Sequence, residues 1–280
     1  MEPLEKVRCA LVARMEHGAL HLPILPQVAN QVIALTRDPN SDAARLATLI
    51  HQDQALAGHV LRIANSWTFL PRTPIESLQQ AVAWLGINHL AGIAFALSIQ
   101  NGAFRVQGYE AEITQLWRHA LATALYGKEI ARVGRRSTES AFLCGLLHTI
   151  GKPVILHAII DLQKELGTSL AWGDIDSLMH AYHTPAGTRI AEKWNLPDQV
   201  KEAITYYSNY SKAPSLSSTA AKITYLAHRL ATSLFDPNTM DEHSVQDDPV
   251  VRDLTLSAEA LTALLEQGET VLNAADSMTL

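Results

Sequence analysis

Apolar positions in this chain recur at intervals of three and four residues, and no stretch shows the strict alternation between hairpin turns that half-buried strands require. Ile75, Leu78, Val82 and Leu85 are a clear run of this kind, closed by Gly86 in the position of a residue just past a helix end. Leu46, Leu49 and Ile50 mark the apolar face of another helix, which follows the turn and capping supply Asp38-Pro39-Asn40-Ser41-Asp42. The same spacing predicts an amino-terminal helix ending near Met15 and further helices over about 27–36, 54–64, 88–100, 110–133, 138–150, 197–207, 220–233 and 258–275. A loop-helix unit is expected around 174–194. The fold class that follows is all-α.

The interruptions divide the chain. Leu22-Pro23-Ile24-Leu25-Pro26 predicts an extended lead-in, because each proline disfavours helix in the residue before it. Residues 65–74 form a loop with two prolines, and the Gly-containing stretch 101–108 separates two helical halves. The domain reading is an amino-terminal helix over 1–19, a main domain over 20–215 with halves of about 20–105 and 106–215, and carboxyl-terminal helices over 216–280. That last part includes an acidic, turn-rich linker at about 235–257, and a Ser-rich turn is expected at 208–218.

Composition narrows the function classes. With 280 residues, 48% hydrophobic and 18% charged, the chain can bury a substantial core. Its net charge of -6 provides no positive field to gather phosphate backbones. Helix 88–100, the second of a tight pair, carries no Arg or Lys, so a packed helical hairpin is expected there and not a DNA-reading unit. The apolar window 85–99 is interrupted by Gly86, Asn88, His89 and Gly92 and falls short of the roughly 20 residues that cross a bilayer. The amino terminus lacks a basic segment followed by an apolar run. Two cysteines, Cys9 and Cys144, make no disulfide framework. These features together predict a cytoplasmic protein with no membrane contact. Phosphate-loop, nucleophile-elbow and paired Cys-x-x-Cys motifs are absent.

The most informative stretch is Leu146-Leu147-His148-Thr149-Ile150-Gly151-Lys152. A hydrolytic centre for two cations uses adjacent His and Asp side chains, the carboxylate bridging the ions and offsetting their repulsion. Thr149 stands in the carboxylate's place, and a neutral hydroxyl cannot supply that charge.

Several separate stretches resemble the HDOD family, the "HD-related output domain" group of bacterial signalling proteins related to HD-type metal phosphohydrolases. The residues that carry the resemblance are Leu22-Pro23-Ile24-Leu25-Pro26, Asp38-Pro39, Val60-Leu61-Arg62-Ile63-Ala64-Asn65-Ser66, Ile75-Glu76-Ser77 with Ala81 and Leu85-Gly86, Leu116-Trp117-Arg118-His119, Gly145-Leu146-Leu147-His148 with Ile150-Gly151-Lys152, His183 with Gly187, and Trp194 with Leu196-Pro197. The resemblance implies a multi-helical HDOD, HD-domain-like bundle in two helical halves. It also implies where a working metal site would lie: His119, His148 with a following Asp, His183, a later His pair and a distal Asp. This chain has Thr149 for the first Asp, Tyr207-Ser208 for the His pair and His228 for the distal Asp.

Neutral imidazoles without carboxylates do not offset metal charge, so no catalytic residue, cofactor or metal is expected. If a metal does bind, the ligands come from His119, His148, His183 and His228. Arg118 and Lys152 are candidate contacts for an anionic ligand. The resemblance implies a non-catalytic regulator, a pseudoenzyme acting through a signalling partner, with a nucleotide as candidate ligand and a homodimer as a candidate assembly. The alternative is a metal-dependent phosphohydrolase of nucleotides or cyclic dinucleotides working from a degenerate site.

Overall fold

The computed structural model describes residues 2–38, 42–65, 69, 71, 73–102, 104, 106–214, 219–236 and 245–279. Pro39-Asn40-Ser41 of the first turn, Ser66 and Trp67, the Ser-rich run 215–218 and the acidic run 237–244 lie outside the described residues. The described residues contain helices and no β-strand, as the apolar spacing predicts.

Seven helices lead up to the centre of the molecule. They are α1 (Pro3–Glu16), α2 (Gln27–Arg37), α3 (Ala43–His51), α4 (Gln54–Ala64), α5 (Leu78–Leu85), α6 (Ile87–Gly102) and the long α7 (Glu110–Val133). Asp42 and Asp53 cap α3 and α4 by accepting from Arg45 and Leu56 backbone N–H groups. Ser77 and Gln80 close a reciprocal capping box on α5. Gly86, at φ +80°, lets the chain turn by 119° between α5 and α6. The apolar face of α6, including Leu90, Ile93, Ala94 and Phe95, is buried, so the helix is a core element. Asn65 ties the end of α4 to Ile75 ahead of α5: its side chain accepts from Ile75 N (2.7 Å) and donates to Ile75 O (2.8 Å).

The second half consists of α8 (Thr138–Leu147), α9 (Gly151–Leu166), α10 (Trp172–Lys193), α11 (Asp198–Tyr206), a 3-10 turn at Tyr207–Lys212, α12 (Thr219–Phe235), α13 (Pro249–Asp253), α14 (Ala258–Glu266) and α15 (Gly268–Met278). Here α7 packs on α8 and α12, α9 packs on α10, and α15 returns to α7 and α4. The apolar positions Leu261 and Leu264 are buried within the chain. Expected as one helix, 258–275 is two, α14 and α15, which meet at Gln267 and Gly268. The run Thr138–Leu166 has the length and hydropathy of a membrane span, yet 83% of its apolar window is buried inside the molecule. Leu22 O and Pro23 O accept from Lys193 Nζ (3.0 Å) and Trp194 Nε1 (3.1 Å), which pins the extended lead-in to the end of α10.

Candidate functional site

Close helix contact builds the centre. On α8, a Cβ at Gly145 would stand 2.7 Å from both Ala124 Cα and Thr123 O of α7, so the two backbones touch. At the start of α9, a Cβ on Gly151 would run into His183 O and stand 2.7 Å from Gly187 N on α10. With α12 laid against α7 and α8, the facing side chains are His119 from α7, His148 from the turn after α8, His228 from α12, and His183 and Tyr207 from α10 and the 3-10 turn.

Ring centroids of His119, His148 and His228 lie 4.9–5.8 Å apart. The hydrogen bonds fix their tautomers. His148 Nδ1 faces Gly145 O at 2.6 Å, and a carbonyl only accepts, so this nitrogen carries the proton. His148 Nε2 is then the acceptor, and His228 Nδ1 donates to it at 3.0 Å. Thr232 Oγ1 donates to His228 O (2.8 Å), which makes His119 Nε2 the donor to Thr232 Oγ1 (3.1 Å). His183 Nδ1 donates to Met179 O and His180 O, and its Nε2 accepts from the Tyr207 hydroxyl at 2.6 Å.

Burial, the leading cause in each case, holds all four imidazoles neutral. His119 and His183 are pushed down to about 4, and His148 and His228 fall well below the ordinary imidazole value. The nearby Lys152 ammonium adds to the effect at His119, His183 and His228. Lys152 is itself buried and lowered by that burial, with its Nζ 3.2 Å from His180 Nε2. Burial likewise pushes the Tyr207 phenol up, so it stays a protonated donor. Among the described residues, no carboxylate hydrogen-bonds or ion-pairs with His119, His148, His183 or His228.

The other expected positions separate from this cluster. Thr149 lines a small apolar pocket with Phe104, Leu116, Trp117 and Pro153, of about 20 Å³, room for no more than a water molecule. Arg118 pairs with Asp276 of α15 (2.6 Å) and lies over the Phe235 ring. Ser208 is exposed. Sequence reasoning did not single out Thr232, whose hydroxyl orients His119, although its place one turn beyond His228 on a helix was a signal.

The model of the HDOD domain matches residues 22–210, well over half of the chain. The chain belongs to the HDOD domain family. An uncharacterized protein of Treponema pallidum (strain Nichols) is 27% identical over 202 residues, a stretch covering 68% of this chain and 39% of that relative's length. Among solved structures, an HDOD domain protein of unknown function from Geobacter sulfurreducens is 21% identical, with a TM-score of 0.74 and 98% of each chain covered. A protein from Shewanella amazonensis SB2B, provisionally described as a metal-dependent phosphohydrolase, is 18% identical with a TM-score of 0.74, over 98% of this chain and 100% of that one. One from Marinobacter aquaeolei VT8, provisionally described as a signal transduction protein, is 21% identical with a TM-score of 0.71, over 100% of this chain and 67% of that one. These likenesses establish the HDOD fold.

The family's link to metal phosphohydrolases raises the question whether these residues fit a pair of metal ions. They do not. Two divalent cations at bonding distance from one another need anionic bridging oxygens, and the groups here are neutral imidazoles, a protonated phenol and a buried lysine.

Proposed function

We propose that this HDOD protein is a non-catalytic signalling regulator of the bacterial cytoplasm, acting by binding a protein partner or a diffusible ligand. The observation that carries the reading is the centre itself: buried at His148, His183 and Tyr207, half-buried at His119 and His228, and, among the described residues, without a carboxylate hydrogen-bonded to any of its four histidines. Such a centre lacks the charge to activate water on a metal pair, and it ties five elements together. The Marinobacter relative's provisional description as a signal transduction protein agrees with this role.

A route for signal transfer follows from the packing. Helix α6 of the amino-terminal half lies on α8, where the His89 ring meets Phe142 edge-on at 6.4 Å. Since His148 directly follows α8, a partner that shifts α6 changes the arrangement of the two halves and the setting of the imidazole cluster. The rival reading, a phosphohydrolase on a degenerate site, is favoured by the convergence of His119, His148 and His228 and by the provisional description of the Shewanella relative.

The two are separated by assaying the purified chain on phosphomonoesters, nucleotides and cyclic dinucleotides with manganese, iron or zinc supplied. The regulator reading predicts no product above the metal-only blank. Product that disappears in a His148→Ala variant would overturn it.

A further inference from the structure

The imidazole cluster has the makings of a metal site different in kind from a two-cation hydrolytic centre. One ring nitrogen from each of His119, His148 and His228 lies within 4.8 Å of the other two, and the three residues come from three different elements. A tetrahedral ion with nitrogen bonds of about 2.0–2.1 Å needs its ligand nitrogens roughly 3.3 Å apart. His148 Nε2 and His228 Nδ1, at 3.0 Å, already stand close to that spacing. The two sides that run to His119 are at most 4.8 Å, so a side-chain movement of His119 of up to about 1.5 Å closes them.

The hydrogen bonds behind the rings select the ligands. His148 is held by Nδ1–H donation to Gly145 O, which presents the Nε2 lone pair to the cluster. Metal-binding imidazoles are oriented in just this way, by a second hydrogen bond to a carbonyl. Thr232 holds the Nε2 proton of His119 and leaves Nδ1 with the free lone pair. His183 is different. Its Nδ1 proton is shared between two backbone carbonyls and its Nε2 lone pair is taken by Tyr207, so it has no nitrogen to offer. Geometry thus reduces the four histidines to three.

We propose that His119, His148 and His228 form a single-ion site for a borderline divalent transition metal, with zinc the best match for three neutral imidazoles and an exogenous anion in the fourth position. This goes beyond the regulator reading and does not rest on it. One ion with neutral ligands needs no bridging carboxylate, so the replacements at Thr149 and His228 that rule out a metal pair leave this site intact. Binding exchanges the His228–His148 hydrogen bond for two metal–nitrogen bonds. The His228 proton passes from Nδ1 to Nε2 by exchange with solvent, and no net proton is released. The buried ammonium of Lys152 in the same neighbourhood favours an anionic fourth ligand over a neutral one.

The test is titration of the chelator-stripped full chain with zinc against a chromogenic chelator, together with cobalt(II) as a spectroscopic probe. The expected result is one zinc per chain, and cobalt bands of tetrahedral intensity. His119→Gln and His228→Gln should each weaken zinc binding at least 100-fold, and His183→Gln should leave it within about threefold. His228→Asp keeps the test decisive if the Gln variants fail to fold, since it should retain the ion with a changed cobalt spectrum. The proposal is overturned if the stripped wild-type chain binds no zinc, if zinc affinity is unmoved in a folded His228→Gln variant, or if the cobalt spectrum is unchanged in His228→Asp.

Discussion

At the scale of residues, the centre is a set of neutral imidazoles whose partners are dictated by tautomer. Four histidines held neutral by burial make stability depend on pH in a definite direction. Released from the fold, each regains an ordinary value of 6.5, so on acidification the unfolded chain takes up protons first. Stability is therefore full above about pH 6.5 and declines as pH falls toward about 4, where His119 and His183 protonate in the folded chain as well. Thermal melts across this window should show the midpoint dropping steadily, with a shallower slope in His183→Gln; a flat midpoint would contradict the assignment. Tyr207→Phe removes the short bond to the buried His183 Nε2, leaving only the Thr184 hydroxyl at 3.3 Å, and should cost about 1 kcal/mol of unfolding free energy in chemical denaturation. The positions of His119, His148, His183, Tyr207 and His228 were legible in the sequence through motif order, and so was the loss of charge at Thr149. The bonds between them were not. His148 and His228 are 80 residues apart and Arg118 and Asp276 are 158, and no local pattern encodes contacts of that separation.

At the scale of elements, glycine sets how closely the site-bearing helices approach. Gly151→Ala pushes a methyl group into His183 O, and the backbone cannot yield as a side chain would. The expected loss exceeds the ~1–3 kcal/mol usual for over-packing. Gly58→Ala is the matched comparison: this exposed position inside α4 has nothing within 4 Å of the new methyl, and helix propensity predicts a gain of about 0.5–1 kcal/mol. Equal effects of the two substitutions in chemical denaturation would refute close packing at α9–α10. Most helices were legible from apolar spacing, with α7 predicted over the range observed. Helix α9 was not among those predicted, because Gly151 and Pro153 give its start the look of a turn, although proline is tolerated in a helix's first turn. The break between α14 and α15 was hidden, since nothing in the apolar spacing of 258–275 marks it.

At the scale of the whole molecule, the family's scattered motif residues prove to be fastenings between distant parts of the chain. Pro23 meets Trp194, Asn65 holds Ile75, and Gly145 and Gly151 seat the helices that carry the histidines. The HDOD architecture therefore brings these histidines together, and among the described residues none of the four bonds a carboxylate. The central claim is that this centre cannot hold a pair of metal ions, and native mass spectrometry of the folded chain with saturating manganese, iron or zinc tests it directly. The account predicts no more than one ion per chain in the wild type, whichever of the three metals is supplied. Two specifically bound ions in the wild-type chain, lost in His148→Ala, would contradict it.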